Sequence, residues 1–246
     1  MRKKIIAGNW KMNINPSQTK ELAKIISEGA NGEADVVLCV PFTNLSVALE
    51  AVKGTDASIG AQNIHQEKKG AYTGEISADM LADMGVKYVI VGHSERRQYF
   101  GETDELVNKK AHAALAAGLI PIICVGEVLV EREANKTLEV IERQTKAALV
   151  GIEESQAKTL IIAYEPVWAI GTGKTATSDQ AEEVCKAIRE LLAEIYNKEI
   201  SDIIRIQYGG SVNGANAKEL FSMPNIDGGL VGGASITPEF LKVVNY

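Results

Sequence analysis

Hydrophobic residues fall along this chain in short, nearly unbroken runs at regular intervals. Eight of these runs read as strands, at 4–9, 35–40, 58–62, 88–91, 119–124, 159–163, 203–207 and 228–231. A strand with one wet face alternates apolar and polar residues. Continuous runs rich in Val and Ile instead predict parallel strands covered on both faces. Between the runs the pattern changes to a helical period. Residues 17–29 carry the stripe Leu22, Ala23, Ile25 and Ile26. Residues 103–117 open on Thr103, a suitable N-cap, and stop at Gly118. Residues 137–150 stop at Gly151, and 178–196 place Val184, Ile188, Leu191, Leu192 and Ile195 on one face. Thr237 followed by Pro238 predicts a cap and first turn for a last helix.

Strands alternating with helices fit two architectures, an open doubly wound sheet or a closed (β/α)8 barrel. The open sheet calls for a glycine-rich fingerprint after its first strand. Here the first strand runs into Asn9-Trp10-Lys11-Met12-Asn13. The barrel typically needs about 250 residues, and the chain has 246. The expected fold is therefore α/β, a closed (β/α)8 barrel forming a single domain over residues 1–246, with no linker or low-complexity stretch to divide it.

Barrel chemistry sits at the C-terminal ends of the strands. The polar residues that follow each strand are then candidates for one shared mouth. They are Asn9 and Lys11 after strand 1, Gly92-His93-Ser94-Glu95-Arg96-Arg97 after strand 4, and Glu165 after strand 6. Tyr208-Gly209-Gly210-Ser211 and Gly232-Gly233-Ala234-Ser235 follow strands 7 and 8. Pro166 holds Glu165 extended. The apolar stretch beyond it ends in Gly171-Thr172-Gly173 and reads as a lid over a carboxylate that works with water excluded. Desolvation under that lid is expected to raise the pKa of Glu165. The paired glycines let backbone N–H groups approach an anion closely. Lys11 supplies a cation. Ser94 reads as the cap of a short helix whose positive end keeps His93 neutral. Glu95 reads as a support for Lys11, and Arg96 as a partner for acidic neighbours. A base, a neutral hydrogen-bond donor, a cation, a phosphate cradle and a lid suit proton abstraction beside a carbonyl in a small phosphorylated substrate.

Composition narrows the field. The 26 basic and 32 acidic residues give a net charge of −6, which offers no basic excess for nucleic acid. No apolar run approaches the roughly 20 residues that span a bilayer, and the N-terminal apolar run is too short for a signal peptide. Cys39, Cys124 and Cys185 are scattered, as expected of reduced thiols in a cytoplasmic protein. His65, His93 and His112 show no metal-ligand spacing. With no nicotinamide fingerprint either, neither metal nor cofactor is expected.

Five stretches together carry a resemblance. Asn9 to Asn13, Gly92 to Arg97, Ala163-Tyr164-Glu165-Pro166-Val167-Trp168-Ala169-Ile170-Gly171-Thr172-Gly173-Lys174, Tyr208 to Val212 and Leu230 to Ser235 resemble the triosephosphate isomerase family, whose fold is the TIM barrel, over the whole chain. The resemblance implies interconversion of dihydroxyacetone phosphate and D-glyceraldehyde 3-phosphate in glycolysis and gluconeogenesis. It implies Glu165 as the base, His93 as the group that polarises the carbonyl, and Lys11 and Asn9 as stabilisers of an enediolate. Gly171, Ser211, Gly232 and Gly233 would donate N–H groups to the phosphate. Tyr208 and Ser211 would hold the lid, and Glu127 would receive Trp168 on closure. The stretch from His65 to Glu75 resembles the family's interdigitating loop, which implies a homodimer in which the partner's Thr73 buttresses Lys11 and Glu95. Gln207, a polar residue inside a strand, is unexplained. Two rivals are a Schiff-base aldolase, which needs a desolvated lysine deep in the mouth, and a non-catalytic phosphate-binding protein on the same scaffold.

Overall fold

Eight parallel strands close on themselves in sequence order. They are β1 (Ile5–Asn9), β2 (Asp35–Val40), β3 (Ser58–Ala61), β4 (Tyr88–Val91), β5 (Ile120–Val125), β6 (Ile161–Tyr164), β7 (Arg205–Tyr208) and β8 (Gly228–Val231). β1 completes the ring by pairing with β2 on one edge and β8 on the other, so that Ile5 lies opposite both Asp35 and Gly228. The computed structural model describes residues 2–170 and 176–246; Gly171, expected to donate to a phosphate, lies outside the described residues.

The unbroken hydrophobic runs are explained by two separate cores. Side chains of alternate strand residues fill the barrel interior, among them Ile5, Ala7, Val37, Cys39, Ile90, Ile122, Cys124, Ile161 and Ala163. Their neighbours face outward onto the helices, as Ile6, Leu38, Val89, Ile123, Ile162 and Ile206 do. A parallel strand buried on both faces has no polar positions to alternate with. Gln207 belongs to the inner set. Its amide donates to the carbonyls of Ile5 and Gly229, at 3.2 Å each, so a polar side chain here ties β7 to the closing seam.

The long helices lie where their periods place them: Pro16–Gly29, Asp104–Ala116, Thr137–Leu149 and Ser178–Ile195. Thr103 caps its helix by accepting from the Leu106 N–H, and Gly118 takes the left-handed φ of 78° that ends a helix there. The last helix departs from expectation. Thr237 makes no side-chain cap, and Pro238–Phe240 is one turn of 3-10 helix before Leu241–Val244. Helices of only six or seven residues, about two turns, also follow β2, β3 and β7, at Leu45–Ala51, Ala78–Asp83 and Ala217–Ser222. They are too short to show a clear period in the sequence. All three cysteines are free and buried, and burial pushes the Cys39 thiol up to about 12.

Candidate active site

Strand alternation explains why two of the polar residues meet. Ile5 and Ala7 point into the barrel, and so does Asn9, two residues further on; Ile161 and Ala163 do the same for Glu165. Glu165 is 2 % exposed, and its backbone N–H donates to the Val125 carbonyl at 2.8 Å, continuing the β5–β6 pairing past the strand end. It forms part of the wall of a cavity of about 330 Å³. Asn9, Lys11 and His93 line the same cavity, and residues 209–213 and 232–234 close its other side.

Both carboxylate oxygens of Glu165 are occupied. The Ser94 N–H donates to Oε2 at 2.9 Å, the Ser94 hydroxyl to Oε1 at 3.2 Å, and His93 Nε2 lies 2.9 Å from Oε1. This corrects the sequence reading of Ser94. It is not the cap of the helix Ser94–Phe100. His93 is, with ring Nδ1 accepting from the Glu95 N–H at 3.2 Å. The sequence held a serine in a cap-like place, and nothing in it shows which way that serine's N–H points.

That bond fixes the histidine tautomer. With Nδ1 accepting, the proton of the neutral ring form sits on Nε2 and is donated to Glu165. Burial opposes a charge on His93, but the Glu165 and Glu95 carboxylates outweigh it and raise the ring's pKa above the ordinary histidine value. For Glu165 the direction is the reverse of the expected one. Burial alone would raise its pKa, but His93 and the Ser94 N–H bring it below the ordinary glutamate value. The two shifts are consistent, because in the acid range where Glu165 titrates the ring beside it carries a charge.

Lys11 is held on three sides. Its backbone takes a left-handed φ of 51°, uncommon for a residue with a side chain. Its N–H donates to Asn9 Oδ1 at 3.1 Å, its carbonyl accepts from Gln62 Nε2 at 2.9 Å, and its ammonium meets Glu95 Oε1 at 2.5 Å. A strained residue persists only where its surroundings over-determine it. Gln62 is a second residue whose part sequence reasoning missed, because its partner is a backbone atom 51 positions away. Arg96 pairs with the buried Glu102, which also receives Lys110.

The opposite wall is built from backbone. Among the described residues that line the cavity, Lys11 is the one cation. Ser235 donates to the Gly232 carbonyl from both its N–H and its hydroxyl, at 2.8 and 2.7 Å. In a planar trans peptide the next N–H points the other way, so fixing that carbonyl also fixes the Gly233 N–H. A row of backbone N–H groups with no countercharge suits an anion.

The apolar stretch after Glu165 begins as a 3-10 turn, Val167–Ala169. Trp168 Nε1 donates to Glu127 Oε1 at 2.8 Å, and the Tyr164 hydroxyl reaches the same oxygen at 3.2 Å. The Arg132 guanidinium sits 5.3 Å from the centre of a Trp168 ring and 3.6 Å from Glu127. Glu127 is fully buried, and burial raises its pKa. The Tyr208 hydroxyl is buried facing the backbone of Ala176, and burial raises its pKa as well. Thr73 is exposed, and its own chain's cavity does not include it.

Whole-chain comparison agrees with this layout. The family model described as "Triosephosphate isomerase" matches residues 4–246. A protein named triosephosphate isomerase in Acetivibrio thermocellus is 58% identical over 247 residues, covering 100% of this chain and 98% of the relative. Proteins of the same name in Ligilactobacillus salivarius and a Thermoanaerobacter species are 53% and 54% identical, covering 100% of this chain and 99% and 100% of theirs. A match that runs the length of the barrel and takes in every strand end at the cavity leaves no part of the site outside it, and the chain belongs to the triosephosphate isomerase family.

Proposed function

We propose that this protein interconverts dihydroxyacetone phosphate and D-glyceraldehyde 3-phosphate by proton transfer through an enediolate, a step of glycolysis and gluconeogenesis, with the whole chain acting as one barrel domain. The observation that carries the reading is the pairing of the buried Glu165 carboxylate with neutral His93 across a cavity whose far wall is backbone amide.

Glu165 takes the carbon-bound proton and returns it to the adjacent carbon. Oε1 faces two donors and Oε2 one, so a lone pair on Oε2 is open to the substrate's carbon-bound proton. The His93 Nε2–H, released from Glu165, polarises the carbonyl and moves protons between the two oxygens. Lys11 and Asn9 stabilise the negative charge that develops. A preorganised charge in a dry site contributes more there than in water. The N–H groups of Ser211, Gly232 and Gly233, with Gly171 from the lid, hold the phosphate. Trp168 with Glu127, and Tyr208 with Ser211, hold the lid over the enediolate and keep water from it.

The working unit is a homodimer. A second cavity, of about 270 Å³, adjoins the first and is lined by Lys11, Met12, Phe42, Asn63, Glu95 and Phe100. Met12 is 96 % exposed and Phe100 67 %, which is costly for apolar side chains left in water. A partner's 65–75 loop entering there would bring its Thr73 against Lys11 and Glu95. The buried reduced thiols fit a cytoplasmic protein. Among the described residues no helix is long and apolar enough to cross a membrane.

The test is a coupled assay that supplies D-glyceraldehyde 3-phosphate and reads dihydroxyacetone phosphate through an NADH-dependent reductase. Fast turnover that collapses in Glu165→Gln supports the reading. No turnover by the folded wild-type protein would leave a phosphate-binding protein on an enzyme's scaffold.

A further inference from the structure

The loop after β7 contains a clamp. Asn216 donates from Nδ2 to the Ser211 carbonyl at 2.9 Å and accepts at Oδ1 from the Asn213 N–H at 2.9 Å. One amide side chain therefore closes the turn that runs from Ser211 to Asn216. Asn213 accepts in turn from the Ala215 N–H at 2.8 Å, so the outer half of the loop is internally satisfied. The inner half is not. Among the described residues, the N–H groups of Ser211 and Val212 have no acceptor, and both residues line the cavity.

The direction of these groups follows from peptide planarity. The Ser211 carbonyl is held toward Asn216, so the N–H of Val212, across the same trans peptide, points the opposite way. This is the device of the neighbouring loop, where Ser235 holds the Gly232 carbonyl and so fixes the Gly233 N–H. Two loops that share a Gly-Gly start thus each use a polar side chain to hold a carbonyl back from the cavity. An N–H that is already aimed costs no reorganisation when an anion arrives.

We infer that Asn216 is a positioning residue for substrate binding, holding the loop so that the Val212 N–H joins that of Ser211 in facing the phosphate. This rests on the reading of the cavity's backbone wall as a phosphate cradle. Asn216 itself is not among the residues lining the cavity. Its effect falls on binding of the phosphate and leaves the proton transfers at Glu165 alone.

The experiment compares wild type, Asn216→Ala and a matched control. Asn245 makes the same kind of clamp elsewhere, accepting from the Asn31 N–H and donating to the Gly29 carbonyl, so Asn245→Ala removes equivalent bonds far from the cavity. Inorganic phosphate is titrated into 15N-labelled protein, and KM and kcat are measured in the isomerase assay. Wild type should show a phosphate-dependent shift of the Val212 amide. Asn216→Ala should weaken phosphate binding and raise KM by on the order of tenfold, with kcat within about twofold, the scale of one or two lost hydrogen bonds. Asn245→Ala should lower the melting temperature comparably and leave KM unchanged. Unchanged KM and phosphate affinity in Asn216→Ala overturn the positioning role, as does an equal rise of KM in both variants. A wild type whose cavity amides ignore phosphate overturns the cradle reading, and the role of Asn216 with it.

Discussion

The two sides of the barrel mouth handle charge in different ways. The side built by β1, β4 and β6 uses ionisable side chains: Lys11 against Glu95, and Glu165 against His93, each pair within hydrogen-bonding distance. The side built by β7 and β8 uses glycine turns and backbone N–H groups, with no cation among its described lining residues. On the proposed function, the difference follows from what each side has to do. Proton transfer needs groups whose charge changes during the reaction, and those are side chains. A phosphate keeps its charge throughout, so fixed dipoles serve it without competing for the protons being moved. Lysines near the phosphate would also lower the pKa of Glu165 further and weaken it as a base.

If that division holds, the two sides should respond differently to mutation. The largest effect is expected for Glu165→Gln, which keeps the side chain's size but cannot take a proton and has a single oxygen to accept the bonds from Ser94 and His93. Its kcat should fall roughly a thousandfold or more, at least about 4 kcal/mol of transition-state stabilisation. A smaller loss in the coupled assay would shift the base to another residue. Gly209→Ala tests where the two sides touch. A Cβ there would stand 2.9 Å from Glu165 Cγ and 3.1 Å from the Tyr164 carbonyl. Displacing the carboxylate by a fraction of an ångström should cost roughly 10- to 100-fold in kcat, seen as a fall in kcat larger than any change in KM.

The next prediction is electrostatic. The Glu165 carboxylate favours the imidazolium form of His93, so replacing it with a neutral amide removes a charge that raises the ring's pKa. The His93 pKa, followed by NMR titration of the ring nitrogens, should be lower in Glu165→Gln than in wild type. An unchanged or higher value would mean that Glu165 does not bear on the ring as the geometry indicates. The smallest effect belongs to the backbone wall. A Cβ added at Gly233 meets nothing within 4 Å, and its N–H survives. Gly233→Ala should therefore change KM and kcat by less than about threefold. A large loss there would show that the glycine side chain position, and with it the substrate's own volume, matters more than the amide.

The same contrast explains what could be read from the sequence. The barrel was legible because two-sided burial leaves unbroken apolar runs, and because the candidate residues Asn9, His93 and Glu165 sit at, or within two residues of, the C-terminal ends of three of them. Strand ends were missed by a residue or two: β5 continues to Val125, and β6 runs from Ile161 to Tyr164. Their last residues are apolar or aromatic like their neighbours and carry no stop signal. Side chains that act through their own chemistry could be proposed from residue type alone. Those that act through backbone geometry could not. Ser94 was mistaken for a cap, Gln62 passed unnoticed behind Lys11, and Asn216 lies in a stretch of polar loop residues that look alike until their partners are seen.

The most direct test of this division is the affinity of inorganic phosphate for wild type and Glu165→Gln, measured by calorimetry. If backbone amides hold the anion and side chains move the protons, the variant that has lost turnover should bind phosphate within about threefold of wild type, a difference of less than about 0.7 kcal/mol. Loss of phosphate binding together with turnover in a folded Glu165→Gln protein would contradict the account, since the two sides of the mouth would then be one inseparable site.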